Sequence, residues 1–285
     1  MKKPSKSLIK SFIGFTKIEH TIFSVPLLFS AAFLSNGNKW PEISVMTLLI
    51  LAATGARVLG MAMNRLIDSH FDSNNPRTRD REIPSGRLSK KNGYLIALTG
   101  FFVYLISCIG LGKLPLLLSP IPVIILIGYS YLKRITCLCH FGIGVVMALA
   151  PLGTSVAITG RVVPDLSVIL LSTFAFLWIS GFDIIYGLLD IDFDRKYMVH
   201  SIPARLGYQK AVWVARIIHL TAFISVVLLA LKGRGTAGLT TGHLLLITVT
   251  GMAFILANSE LLPVKDRFFP ISAVSGVCGA LISLL

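Results

Sequence analysis

Apolar runs of membrane-spanning length alternate along this chain with short polar segments. The pattern predicts helices near residues 17–35, 42–67, 93–112, 115–131, 138–159, 165–187, 211–231, 241–258 and 267–285. A bilayer core takes roughly 20 apolar residues of helix. A continuous run without the alternation of a barrel strand satisfies its backbone in lipid only as a helix. The expected fold is therefore an all-α integral membrane protein with nine transmembrane helices. The fourth run is short and carries Pro115, Pro120 and Pro122, which a membrane helix accepts at its start or where neighbours satisfy the freed carbonyls. No low-complexity linker interrupts the series, so residues 1–285 read as one domain with a basic cytoplasmic N-terminal segment, 1–16.

Composition supports the lipid bilayer as solvent: 54% hydrophobic residues, 14% charged and a mean hydropathy of +0.78 exceed what a water-soluble domain carries. The 27 Lys and Arg then orient the spans, because positive charge stays on the cytoplasmic side. With the N-terminus inside, 20 of them fall on that side, in residues 1–17, 65–91, 133–134, 195–210 and 265–267. The other side holds only Lys39, Lys113, Arg161, Lys232 and Arg234, while Arg57 and Arg216 lie inside spans. The orientation places the cell inner membrane around the chain and the polar motifs described below towards the cytoplasm. Met1 to Lys17 is polar and basic, without the pattern of a cleavable signal.

The net charge of +14 raises nucleic acid as a partner, but the basic residues sit in short membrane-flanking loops without a nucleic-acid-binding motif. Anionic headgroups and phosphorylated substrates account for it better, so no nucleic acid is expected. Cys108, Cys137, Cys139 and Cys278 stand mostly in apolar surroundings on different spans, which argues against a disulfide framework. Cys137, Cys139 and His140 are close enough to raise zinc, yet a fourth ligand is missing nearby, and small interfacial side chains are the preferred reading.

Two acidic motifs of equal spacing close the second and sixth spans: Asn64, Asp68, Asp72 and Tyr186, Asp190, Asp194. On an α-helix, positions four apart drift about 40° and rise roughly 6 Å, so each motif makes one stripe. Facing stripes of carboxylates would form an oxygen-rich cage for Mg²⁺ ions that keep coordination sites for phosphate oxygens, which makes a diphosphate the natural guest. Capping and surface pairing explain one acidic helix end readily, but two of identical spacing poorly. Asp68 and Asp190 are 122 residues apart, four helices each, suggesting two four-helix units plus one helix around a central cavity. Arg57 precedes Asn64 by seven residues and Asp183 precedes Asp190 by seven, so both share their motif's stripe. They could bind an acceptor's carboxylate or hydroxyl, or pair with each other as intramembrane charges do. Asp192 points away from the Asp194 direction and reads as solvated or paired with a loop cation.

The chain resembles the intramembrane prenyltransferases of the UbiA type. The resemblance rests on NRLIDSHFDSNNPRTRDREIPSGRLS at 64–89, YSYLKRIT at 129–136 and FDIIYGLLDIDFDRKYMVHSIPARLG at 182–207. It implies Mg²⁺-dependent transfer of a polyprenyl group from a polyprenyl diphosphate to an aromatic acid acceptor in ubiquinone or menaquinone biosynthesis. By the same resemblance Asp68, Asp72, Asp190 and Asp194, with Asn64, hold the metal, and Tyr129 and Lys133 contact the diphosphate. The basic loop could add Arg77, Arg79, Arg81 and Arg87 to that clamp, or stay solvated. Asp68, Asp190, Lys133, Arg57 and Asp183 are the expected catalytic set, with Asn64, Tyr129, Arg77, Arg81 and Tyr186 lining the substrates.

Members acting on hydroxybenzoate commonly carry an Asp-Lys-Pro-like segment where this chain has Lys17-Ile18-Glu19-His20. That departure leaves the acceptor open, while by resemblance EHTIFSVP at 19–26 and DSNNPRTRDREIPSGRLS at 72–89 favour the variant prenylating a dihydroxynaphthoate in the futalosine route. Haem O or chlorophyll-type prenylation is the competing enzyme reading, and a transporter or lipid-binding protein the competing class. A transporter's site should lie near the midplane, whereas these carboxylates cluster at span ends. Glu19 and His20 read as an interfacial polar end, and Phe12, Phe15, Phe23, Phe29 and Phe33 as packing rather than a prenyl channel.

The charge asymmetry makes the topology testable. A cysteine placed at Ser73 or Ser201 should react with a membrane-impermeant thiol reagent from the cytoplasm, and one at Asn38 or Gly235 from the opposite side. Labelling of all four from one side would overturn the arrangement.

Overall fold

Helix accounts for every regular element among the described residues; there is no strand. The structure, a computed structural model, describes residues 8–17, 24–232 and 238–285. Glu19, His20 and Phe23, the start of the first expected span, and Arg234 and Gly235 lie outside them. Among the described residues, seven helical segments are long and apolar enough to cross a membrane: Ile43–Ile67, Lys90–Leu111, Lys113–Arg134, Cys139–Thr159, Leu166–Lys196, Tyr208–Lys232 and Val264–Leu284. Two of the nine expected spans come out shorter, Ser24–Ser35 and Thr241–Ala257. At 1.5 Å per residue these helices measure about 18 and 26 Å, less than a hydrocarbon core of about 30 Å.

Contacts divide the chain into two units, Met1–Thr21 with Thr47–Tyr131 and Ile22–Met46 with Leu132–Leu285. In the first unit α1 (Leu8–Thr16) precedes α3 (Ile43–Ile67), the short α4 (Ser69–Asn74) and α5 (Lys90–Leu111). The proline-rich fourth span is broken into short segments. The segment α6 (Lys113–Leu118) stops at Ser119, α7 (Pro120–Gly128) restarts with Pro120 at its first turn, and a 3₁₀ helix, Tyr129–Arg134, continues it. Tyr104 donates its hydroxyl to the Ser119 carbonyl at the break, at 3.4 Å. Helices α3 and α5 approach backbone to backbone. A Cβ on Gly55 would stand 2.5 Å from Tyr104 N, and one on Gly100 2.7 Å from Leu59 N. Small residues at such crossings let helices pack where lipid offers no hydrophobic drive.

The second unit is built on α9 (Leu166–Gly187), buried around most of its circumference by α8 (Cys139–Thr159), α12 (Tyr208–Lys232) and α14 (Val264–Leu281). Trp178 is fully buried on α9, stacks on Phe174 and donates Nε1–H to Ser275 of α14 at 3.1 Å. Helix α2 (Ser24–Ser35) also belongs here: it packs on α8 and α14, and Ser30 Oγ donates to the Ala280 carbonyl at 2.6 Å. The expected division into two four-helix units plus one therefore does not match the contacts. The first apolar helix leaves its sequence neighbours because the apolar surface it needs is offered by α8, α9 and α14. Phe15 is core, as expected of packing, and Phe29 and Phe33 stand against Trp40, with ring centroids 6.2 and 5.2 Å away.

Ser201 is only 4% exposed, so the topology test keeps Ser73 and Asn38, both open to solvent. The close helix crossing generates a second test. Gly100→Leu should destabilise the protein in detergent by about 1–3 kcal/mol or more, because backbone on the facing helix cannot yield. Gly153→Ala, on a helix with nothing within 4 Å of the new Cβ, should be neutral or slightly stabilising in the same thermal unfolding measurement.

Candidate active site

In the first unit α3 delivers Asn64 and ends at Ile67; the backbone of Asp68 turns (φ −88°, ψ 1°) before α4 begins. The stripe survives that break. Asp68 N–H donates to the Asn64 carbonyl at 2.9 Å and Asp72 N–H to the Asp68 carbonyl at 2.8 Å, so the four-residue step is kept twice. Both carboxylates are buried, at 3% and 5% exposure. Asn64 Nδ2 donates to Asp68 Oδ2 at 3.1 Å and to Ser130 Oγ at 3.2 Å, which leaves its carbonyl oxygen as the atom a cation could use. Arg81 Nη1 donates to both Asp72 oxygens, at 2.7 and 2.9 Å. Arg81 thus grips a motif carboxylate with one nitrogen shared between both oxygens. Arg77 and Arg79 are exposed, and Arg87 lies 3.6 Å from buried Glu82.

The sequence reading missed Arg65, counted there as one more cytoplasmic cation. It is 7% exposed, its Nε and Nη1 have no hydrogen-bond partner, and it feels the charges of Arg81, Asp72, Glu82 and Tyr129. Its position one residue after Asn64, inside an apolar helix, was the available signal. Arg57, half-buried on the same helix, donates Nε–H to the carbonyl of Lys17 at 3.1 Å and so ties down the end of α1.

The second motif departs from the expected continuous stripe. After Gly187 the chain tightens into a 3₁₀ turn, Leu188–Asp190, before α10 (Ile191–Lys196). With three residues per turn instead of 3.6, the step from Tyr186 to Asp190 rotates further than an α-helix allows. Tyr186 accordingly packs its ring on Phe268, centroids 4.4 Å apart, and Asp190 is half-exposed. Asp194 is buried and accepts the Ser201 hydroxyl at 2.8 Å. Met198, at φ +55°, reverses the chain to bring Ser201 there, a backbone position rarely taken by a residue with a side chain. Ser201 also caps α11 (Ile202–Leu206) by accepting from Ala204 N–H. Lys133 acts electrostatically on Asp194, and its carbonyl accepts His200 N–H at 2.7 Å. Asp192 is exposed.

Asp183, one turn before Tyr186, pairs with His140: Nδ1 lies 2.6 Å from Oδ2. Cys139 Sγ donates to the His200 carbonyl at 3.3 Å, and Arg205 donates to Cys137 Sγ at 3.4 Å. Among the described residues no three of His, Cys, Asp and Glu converge on one point, the zinc candidate included. The donor chemistry of the motifs nevertheless fits Mg²⁺, a hard cation bound by carboxylate and amide oxygens and completed by water or phosphate. Asp68, Asp72 and the Asn64 amide in the first unit, and Asp190 and Asp194 in the second, are oxygen donors of that kind.

The UbiA prenyltransferase family matches residues 23–276 of the chain. The apo structure of a UbiA homologue from Aeropyrum pernix K1 superposes with a TM-score of 0.80 at 30% identity, covering 93% of this chain and 96% of that one. A UbiA homologue from Archaeoglobus fulgidus bound to GPP and Mg²⁺ shares the fold with a TM-score of 0.68 at 18% identity, over 96% of this chain and all of that one. Among curated proteins, the 4-hydroxybenzoate octaprenyltransferase of Aliivibrio fischeri is 28% identical over 215 residues, 72% of each chain.

Proposed function

The chain belongs to the UbiA prenyltransferase family, and from that premise we propose that it moves a polyprenyl group from a polyprenyl diphosphate to an aromatic acid of the 4-hydroxybenzoate or 1,4-dihydroxy-6-naphthoate type. It is a prenyltransferase and an integral, multi-pass membrane protein. The observation that carries the proposal is the pair of equally spaced acidic motifs, each with carboxylate buried at a helix end. Relatives named for 4-hydroxybenzoate favour an aromatic acid acceptor. The fold homologue holding GPP and Mg²⁺ supports the donor and the metal. Nine spans, with α2 and α13 (Thr241–Ala257) as the short ones, put both motifs on the cytoplasmic face of the inner membrane.

In this reading Asp68, Asp72, Asp190 and Asp194 hold Mg²⁺, with Asn64 as a neutral oxygen ligand. When bound, the metal supplies positive charge against the departing diphosphate. Lys133 and Tyr129 contact the diphosphate oxygens, and Arg81 exchanges Asp72 for them once substrate enters. Tyr186 lines the donor. Arg57 takes the acceptor's carboxylate and Asp183 its hydroxyl, with Arg77 at the mouth of the basic loop. The allylic C–O bond breaks with its electron pair leaving on the diphosphate, the electron-rich ring forms the new C–C bond, and the ring proton is lost. Apolar surroundings keep water from the cation.

Purified protein given Mg²⁺, a polyprenyl diphosphate and either acceptor should release pyrophosphate in step with a C-prenylated product. Chelation should stop it; turnover that survives chelation rules out the metal role. Asp68→Asn and Asp190→Asn should each lower kcat on the order of a hundredfold, since the charge they support develops in the transition state. Arg57→Ala should instead raise KM for the aromatic acid about tenfold or more, through loss of a charge-assisted hydrogen bond. A stable Arg57→Ala protein with unaltered acceptor KM would remove Arg57 from the site.

A further inference from the structure

One imidazole joins three elements of the second unit. His140, in the first turn of α8 and 4% exposed, sets Nδ1 2.6 Å from Asp183 Oδ2 on α9, while the Ile202 N–H that opens α11 donates to Nε2 at 3.3 Å. The second contact decides the tautomer. An N–H aimed at Nε2 needs a lone pair there, which leaves the ring proton on Nδ1, donating to Asp183. Asp183 is held through that one oxygen while 30% of its side chain stays exposed. The roles invert the familiar case in which a buried carboxylate orients a reactive histidine. Here the histidine is buried and the carboxylate is presented. Gly187 makes room for the ring, since a Cβ there would stand 3.2 Å from His140 Cε1. Ile202 follows Ser201, the residue that holds Asp194, so the same ring also steadies the segment behind the second motif.

We propose that His140 is a positioning residue that aims the Asp183 carboxylate at the hydroxyl of the aromatic acceptor, fixing which ring carbon faces the prenyl cation. The inference rests on the reading above that Asp183 contacts the acceptor. A hydroxyl donating to an ionised carboxylate enriches the ring for attack, and it does so productively only if the carboxylate points one way. Free Asp183 would have two oxygens and several rotamers to offer.

Asn and Gln separate the two contacts of the ring, because Asn Nδ2 reproduces the place of Nδ1 and Gln reaches that of Nε2. Full-length His140→Asn, His140→Gln, His140→Ala and Asp183→Asn are assayed with Mg²⁺, a polyprenyl diphosphate and whichever of the two acceptors turns over, alongside thermal unfolding in detergent. His140→Gln and His140→Ala should lower kcat/KM for the acceptor about tenfold or more, with His140→Asn within about threefold of the parent and KM for the prenyl diphosphate unchanged. The Asn and Gln variants, compared at matched unfolding temperature, separate positioning from folding. Equal losses in the two, or a parallel rise in KM for the prenyl diphosphate, overturn the positioning role. Normal turnover in all three histidine variants beside an impaired Asp183→Asn does the same while sparing the acceptor reading. An Asp183→Asn enzyme with unchanged acceptor kinetics brings down that reading and the inference with it.

Discussion

Charge in an apolar, membrane-spanning chain has to be met by a partner, and most of what is specific about this protein follows from how its carboxylates are met. Asp72 is held by Arg81, Asp183 by His140 and Asp194 by Ser201, each within 2.9 Å. Stripping one member from a buried pair costs about 3–5 kcal/mol, because the charge left behind stays unsolvated. The partners differ in kind. A guanidinium neutralises, an imidazole orients, and a hydroxyl only satisfies a lone pair. The first unit therefore holds Asp72 against a cation, while the second holds Asp183 against an imidazole.

Both motifs lie where a long helix loosens its geometry. Asp68 sits on a turn between α3 and α4, and Asp190 ends a 3₁₀ turn between α9 and α10. Helix ends leave carbonyls and N–H groups without intrahelical partners, and they admit water and ions more readily than a helix interior. The long span supplies reach, and the break at its end supplies chemistry.

Packing holds these ends in place with little help from hydrophobic drive. Gly55 and Gly100 bring α3 and α5 into backbone contact beneath the first motif. In the second unit, α9 is sheathed by α8, α12 and α14, and Trp178 anchors it to Ser275. His140 and Asp183 belong to two of these tightly apposed helices, and Gly144 on α8 faces the Phe176 carbonyl of α9, 2.7 Å from where a Cβ would stand. The rigidity of the α8–α9 pair is what allows one imidazole to orient one carboxylate.

The sequence by itself determined the all-helical membrane class, the positions of the long spans and the two acidic motifs, because hydrophobic run length and i, i+4 spacing are local properties. It placed a proline-rich fourth span but not the break at Ser119 within it. It could not show that α2 packs with the second unit, since that depends on which distant surfaces are left apolar. Nor could it show the 3₁₀ turn before Asp190 or the packing of Tyr186 on Phe268, a residue 82 positions away in the chain. His140 stood in the sequence as a neighbour of two cysteines. Only tertiary structure, bringing together residues 43 positions apart, made it the partner of Asp183, because a buried charge takes its partner from whichever helix packs beside it.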